Sequence, residues 1–331
     1  MKCTLDCLPC FVSQGLSVAR MATSDPRVQE QIVRETLCRA SRADLTQSPP
    51  LFGGSLRQWV RELTGQADPY LAVKQESKRL ALALLPAWRE RLRTAANPRL
   101  TAVKMAIAGN VIDYGMNGDL TAETIPAELE SSFAGPFHGD VAEFFATAER
   151  ATEILFLADN AGELVFDRLL LELLPREKIT VVVKGGPAIN DALRADATVA
   201  GLDGWVAVTD TGCDGAGVEL AACSPEFRRR FARADLIIAK GQANFESLDG
   251  SGQNIFSCSR SNAPSWASIS AKRSEPWSCT AMFPRRRNRR SSELLPKKIY
   301  EFTSSQRSAT GSGHTNFFCA RVERYLIASA L

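Results

Sequence analysis

The chain has 331 residues, of which 45% are hydrophobic and 23% charged, and a net charge of +3. That balance belongs to a globular chain able to bury a full core, as one large domain or two smaller ones. The longest apolar runs, such as residues 80–85, are too short to span a bilayer, and the opening MKCTLDCLPC has no apolar stretch of secretory length. A cytoplasmic protein without a membrane partner is therefore expected.

The N-terminal hundred residues read as helical. Cys10, Gln14 and Val18 share one helical face, as do Ile32, Thr36 and Ala40. Asp25-Pro26 is a helix start, with Asp as cap and Pro at the first helical position. Asp68-Pro69 repeats the signal before a stretch running to Leu85. Between them, Ser48-Pro49-Pro50 and Gly53-Gly54 read as breaks. After Asn97-Pro98 comes an apolar stretch ending in Gly109-Asn110-Val111-Ile112-Asp113, and then a helix around residues 143–150.

From Glu153 strands and helices alternate. Buried strands are expected at residues 154–158, 179–183, 205–208 and 235–239. Helices are expected over 164–174, from 188 to 195, and over 225–232. This spacing predicts an α/β fold: a helical N-terminal lobe over residues 1–100, packed on a mostly parallel, Rossmann-like sheet domain over 101–256.

The texture changes again from Ser257. Residues 257–331 hold 13 Lys and Arg against 4 Asp and Glu, the rest of the chain 27 against 33. Fifteen of these 75 residues are Ser, Asp is absent, and Val322 is the only Val. Trp266 and Trp277 sit among serines without periodicity. No further apolar strand is expected there. We read 257–331 as an aberrant basic tail, translated out of frame from about codon 255–258. The run at residues 285–290 then needs no nucleic-acid partner.

In open parallel sheets, ligands bind beyond the carboxyl ends of the strands. Four strand ends here carry polar, glycine-flanked clusters: Asp159-Asn160-Ala161-Gly162-Glu163, then Lys184-Gly185-Gly186-Pro187 with Asn190-Asp191, then Asp210-Thr211-Gly212-Cys213-Asp214, and Lys240-Gly241-Gln242-Ala243-Asn244. All should face one side. Asp159 and Asn160 supply hard oxygen ligands suited to Mg²⁺ or Mn²⁺, although either residue equally fits a cap or a turn. Asp191 completes an all-oxygen set or marks a helix start. Asp196 is its rival on the same segment. Lys240 suits a phosphate as a point charge or is an ordinary solvated lysine. Asn244 binds phosphate or closes its turn, and Asp210 reads as a turn former. His138 and His314 are the only histidines, which argues against histidine-rich zinc sites and histidine-dependent triads. Cys3, Cys7 and Cys10 have thiolate-ligand spacing but no evident fourth ligand, and would also share a buried helix face.

These segments together resemble the metal-dependent damage-control phosphatases, catalogued as domain of unknown function 89, in the prokaryotic branch with N-terminal cysteines. The likeness lies in the opening CxxxCxxC, GNVID at 109–113, DNAGELVFD at 159–167, KGGPAINDA at 184–192, DTGCDGAG at 210–217 and DLIIAKGQANFESL at 235–248. It extends to about residue 256. The resemblance implies a divalent metal (Mn²⁺, Mg²⁺, Co²⁺ or Ni²⁺) on Asp159, Asn160 and Asp191. It implies Asp159, Asp191 and Lys240 as catalytic residues. Asn110, Asp113, Gly162, Glu163, Lys240 and Asn244 would hold the substrate. That substrate would be a small phosphorylated metabolite, such as a sugar phosphate or a phosphopantetheine-like compound, damaged ones included. A truncated, inactive relative that only binds metal or ligand is the alternative. A protein carboxyl methyltransferase activity, proposed for one branch, finds no glycine-rich cofactor loop here. Whether Asp159 is ligand or nucleophile, and which oligomer forms, the sequence leaves open.

Overall fold

The computed structural model describes residues 1–112, 123–135, 137–249, 251–260 and 299–304. Helices α1 (Cys7–Ala22), α2 (Pro26–Ala40) and α3 (Pro49–Thr64) open the chain. Asp25 caps α2 by accepting the Arg27 N–H at 2.8 Å. The break expected at 48–54 is instead the first half of α3. Pro49 and Pro50 occupy its opening turn, where a missing N–H costs nothing. Val18, Ala19, Ile32, Leu56, Val60 and Tyr70 bury a small apolar cluster of their own.

Helix α4 (Leu71–Arg93) runs well past Leu85, straight through Pro86. An internal proline removes a helix hydrogen bond. Burial of Ala81, Trp88 and Leu92 in the main core offsets that loss. Helix α5 (Pro98–Ala108) follows, buried from Ala102 onward except at Lys104, and passes into a 3₁₀ turn at Gly109–Ile112. Next come α6 (Ile125–Ala134), the two-residue strand β1 (Phe137–His138) and α7 (Val141–Arg150).

The α/β part continues with β2 (Ile154–Leu157), α8 (Glu163–Leu171), β3 (Ile179–Val183), α9 (Arg194–Val199) and β4 (Ala207–Asp210). It ends with α10 (Pro225–Arg233), β5 (Leu236–Lys240), α11 (Gln242–Leu248), β6 (Ile255–Arg260) and β7 (Ile299–Ser304). Strand order is β1-β7-β6-β5-β2-β3-β4, parallel throughout except for β1 against β7. Ile154 stands between Ile179 and Leu236 in register. Ile154, Phe156, Val181, Ile238 and Phe256 face the core formed with α4, α5 and α8, while Leu155, Leu157, Val182, Ile237 and Ile255 face α10 and α11. This period of two buries both faces, as a parallel sheet requires.

Three further sequence expectations shift. The strand expected at 205–208 begins at Ala207, because the Trp205 and Val206 N–H groups turn back to the Leu202 carbonyl. Residues 188–193 are a loop rather than a helix, since their backbone pairs with the loop after β2. Strand β6 runs across the 256/257 boundary, and β7 lies within the stretch where no strand was expected. Residues 285–290, Trp266, Trp277 and His314 lie outside the described residues. Among the described residues, no helix is long and apolar enough to cross a membrane.

Candidate active site at the strand switch point

Chain direction through the sheet reverses at β2. From β2 the chain crosses to β3 and β4 on one side, whereas β5 lies on its other side and leads to β6. Loops leaving β2 and β5 therefore diverge and open a crevice at their carboxyl ends. Asp159 follows β2, and Gly241 follows β5. Gly241 has φ +77°, and a Cβ there would fall 1.9 Å from Asp159 Oδ2. Only glycine lets the two strand ends close on this carboxylate.

The loops after β2 and β3 are locked by backbone pairing. Ala161 donates to the Asn190 carbonyl at 3.0 Å, and Ala192 to the Asp159 carbonyl at 2.7 Å. Asn160 and Asp191 form an isolated antiparallel bridge. This pairing costs Ile189 a positive φ of 49°, uncommon for any side chain and most of all a β-branched one. It also explains why 188–193 is not helical, and it brings Asp191 beside Asn160.

Asp159 Oδ2 accepts from Asn110 Nδ2 at 3.1 Å and Asn160 Nδ2 at 3.2 Å. The same two amides donate to Glu163 Oε2, at 3.0 and 3.1 Å. Asn110 comes from the 3₁₀ turn, and Glu163 opens α8. Asp159, Asn160, Glu163 and Asp191 are all buried. Asp191 Oδ2 has no hydrogen-bond partner, and Lys184 Nζ lies 3.4 Å from it. Burial pushes the Asp191 carboxyl above its ordinary range, against the pull of Lys184 and Arg57.

Lys240, expected against a phosphate, is fully buried beneath this cluster. Its ammonium donates to the Ala106 carbonyl at 2.6 Å and Glu163 Oε1 at 2.5 Å, and lies 2.9 Å from Asp167 Oδ1. Two of its donors are thus hydrogen-bonded, and the contact with Asp167 is an ion pair. Burial disfavours the charge, but Asp167 and Glu163 hold the ammonium above its usual pKa. Burial raises Asp167 to about 7, with Lys240 opposing.

Asn244 is likewise internal. It donates to the Ala158 and Lys240 carbonyls at 3.1 and 2.7 Å and accepts from Lys184 at 3.3 Å. Its amide thus ties the ends of β2 and β5 together. Gly162 serves close packing, because a Cβ there would meet Ser77 Cβ at 2.8 Å and Ile112 Cγ2 at 2.9 Å. Asp196, the rival of Asp191, binds Lys78 Nζ at 2.5 Å and accepts the Leu193 N–H, so it serves its own helix start. Asp210 accepts the Gly212 N–H at 2.9 Å, as a turn former does. Asp113 lies outside the described residues.

Sequence reasoning missed Lys184 and Asp167 as parts of this cluster. Lys184 stood within a quoted motif without a role, and Asp167 looked like an interior position of an ordinary helix.

Asp159, Asn160 and Asp191 offer two carboxylates and an amide, an all-oxygen set that fits a hard divalent cation. The buried Asp191 Oδ2, ion-paired with Lys184 at 3.4 Å but without a hydrogen bond, is an oxygen such a cation can take. Among the described residues, no three His, Cys, Asp or Glu side chains form a metal-holding group, the N-terminal cysteines included.

A switch-point crevice with buried carboxylates, amides and lysines around it defines a Rossmann-like α/β protein with a charged cluster at its strand ends. The chain belongs to the damage-control phosphatase ARMT1-like domain family, whose profile matches residues 3–283. It is 33% identical to an uncharacterized protein of Methanocaldococcus jannaschii, over 75% of this chain and 84% of that one. It is 32% identical to a damage-control phosphatase of Pyrococcus horikoshii, with 75% and 86% covered. A damage-control phosphatase of Archaeoglobus fulgidus is 34% identical, with 76% and 89% covered. The crystal structure of a DUF89 family protein from Pyrococcus horikoshii superposes with a TM-score of 0.72 at 30% identity, covering 81% of this chain and 95% of that chain.

Proposed function

We propose that this chain is a metal-dependent phosphatase that hydrolyses small phosphomonoesters in metabolite repair. The observation that supports it best is the grouping of Asp159, Asn160 and Asp191 at the switch point, in a chain whose relatives include named damage-control phosphatases.

Asp159, Asn160 and Asp191 would hold the cation. When bound, it would neutralise phosphoryl oxygens and lower the pKa of a water for attack. The chain's own residues set the stage. Asn110 and Asn160 fix the Asp159 and Glu163 carboxylates through four amide hydrogen bonds. Lys240 neutralises Glu163 and Asp167, so the cluster tolerates burial. Lys184 holds Asp191 from the side while bonding to the Gly217 carbonyl. The transferred group carries diffuse negative charge, which the bound cation would offset.

The test is turnover of p-nitrophenyl phosphate and a panel of sugar phosphates with Mg²⁺, Mn²⁺, Co²⁺ or Ni²⁺, beside Asp159→Ala. Metal-dependent turnover lost in Asp159→Ala is the expected result. Turnover that ignores both metal and Asp159→Ala would overturn the reading.

A second reading, an inactive relative with an out-of-frame tail, has one observation in its favour. Ser257 is fully buried in β6, and its hydroxyl has no hydrogen-bond partner. A chain with its tail frame restored separates the two. Activity only in the restored chain identifies the present one as a broken copy.

A further inference from the structure

Helix α3 turns one charged side chain inward. Arg57 is only 9% exposed, and its Nε and Nη2 are buried without a hydrogen-bond partner. Gly53, one turn earlier, makes room for it, since a Cβ there would lie 2.3 Å from Arg57 Nη1. The helix thus carries a glycine at a cost in propensity and holds a guanidinium that the fold leaves unsatisfied. A buried arginine with a purely structural task spends its donors on carbonyls or carboxylates.

Its surroundings are those of the crevice. Arg61, on the same helix face, binds Asp214 Oδ2 at 2.5 Å and pins this face to the loop after β4. Leu56 and Val60, which flank Arg57 on the helix, belong to the cluster against which Ile189 packs, two residues before Asp191. The Asp191 carboxylate leads the charges that act on Arg57. Lys184, Arg57 and Lys74 all act on Asp191 in turn. Lys74 is ion-paired with Asp68, and Lys184 is bonded to the Gly217 carbonyl and Asn244. The Lys74 ammonium also lacks a hydrogen-bond partner but has its ion pair; among the described residues of this group, Arg57 is the cation with neither an ion pair nor a hydrogen bond at Nε and Nη2. Lys240, the residue that the sequence pointed to, is bonded to the Ala106 carbonyl and Glu163 and ion-paired with Asp167.

We propose that Arg57 is a phosphoryl-binding residue, its guanidinium fork donating to the non-bridging oxygens of a phosphomonoester at the Asp159–Asn160–Asp191 site. The proposal rests on the phosphatase reading. Its chemistry is that of a planar fork matched to two phosphate oxygens, which a lysine ammonium does not reproduce. The helical cluster thereby supplies a substrate contact to the sheet's site.

The test uses the full chain, Arg57→Met and Arg57→Lys. Inorganic phosphate is titrated calorimetrically into each Mn²⁺-loaded protein, and the melting of the ligand-free proteins is followed. In Arg57→Met, phosphate affinity should fall on the order of 10- to 100-fold, with Arg57→Lys in between. Mn²⁺ affinity should hold or tighten, because a cation near Asp191 is gone. The ligand-free Arg57→Met protein should melt no lower than the unaltered chain, because an unsatisfied buried charge has been removed. Phosphate affinity in Arg57→Met within about threefold of the unaltered chain would overturn the proposal. If Mn²⁺-dependent turnover persisted in that case, the phosphatase reading would stand without it. Failure of the unaltered chain to bind either Mn²⁺ or phosphate would overturn both.

Discussion

Replacing Lys240 by methionine separates a structural from a substrate-binding role for this residue. The ammonium sits between Glu163 and Asp167, and all three side chains are buried. Removing it leaves two carboxylates without their counter-charge. Breaking a buried pair in this way costs about 3–5 kcal/mol, a large share of the roughly 5–15 kcal/mol that keeps a domain folded. At about 2–4 °C per kcal/mol for a chain of this size, Lys240→Met should melt roughly 10 °C lower at pH 7. A pH signature should accompany the loss. Burial already lifts Asp167 from 3.8 to about 7 with the ammonium present. Without it the folded state keeps that proton over a pH range where the unfolded chain has released it. Stability of the variant should therefore fall as pH rises from about 4 to beyond 7. Adding Glu163→Gln and Asp167→Asn should flatten this slope and restore part of the melting temperature. The assay is thermal unfolding by circular dichroism from pH 4 to 9. A Lys240→Met protein that melts within about 2 °C of the unaltered chain, with no pH slope, while losing phosphate affinity, would refute the reasoning and return Lys240 to the substrate.

Three further outcomes are expected. Gly241→Ala places a methyl on the Asp159 carboxylate and forces alanine into a positive-φ, extended-ψ conformation that costs about 1–3 kcal/mol; it should abolish the thermal upshift produced by Mn²⁺, and an upshift equal to that of the unaltered chain would contradict the close approach. Ser257→Ala removes a buried hydroxyl without a partner, so the chain should gain on the order of 1 kcal/mol in denaturant unfolding; a loss instead would show that the hydroxyl is satisfied in solution. Cys213 and Cys223 lie 3.7 Å apart, and the Cys223 thiol, with help from Thr211, lowers Cys213 to about 5 against the opposing effect of burial; iodoacetamide at pH 6 should label Cys213 well ahead of Cys223 by peptide mass mapping, and equal labelling would argue against a stabilised thiolate.

The sheet was legible because its strands are short, apolar and β-branched and end in polar, glycine-flanked turns. Ile154-Leu155-Phe156-Leu157 and Ile179-Thr180-Val181-Val182-Val183 stand where the pattern put them. Trp205 imitated a strand residue, but its ring lies under Arg168 and Arg176 and the strand begins two residues later. Residues 188–193 imitated a helix start, and only pairing with a loop about thirty residues away decides otherwise, which no local signal carries. Gly53-Gly54 looked like a break because glycine weakens helices on average, whereas the reason for Gly53 is a guanidinium one turn ahead. The grouping of Asp159, Asn160 and Glu163 followed from strand-end logic, whereas Asn110, in a 3₁₀ turn after a helix, was placed with them only by the family resemblance. The burial of Lys240 did not, since a lysine after a strand looks the same whether it points out of the crevice or beneath it.

The backbone bridge between Asn160 and Asp191 makes the two acid-bearing loops one mechanical piece. Neither can shift without dragging the other, so drift in sequence has little freedom to retune this part of the crevice. Helix α3 belongs to a separate apolar cluster and is tied to the loop after β4 by a side-chain contact, Arg61 on Asp214. Change in what the crevice accepts can then accumulate in the helices while the acidic floor stays fixed. Exchanging residues 1–70 between relatives should transfer preference for one ligand over another and leave the chemistry where it was.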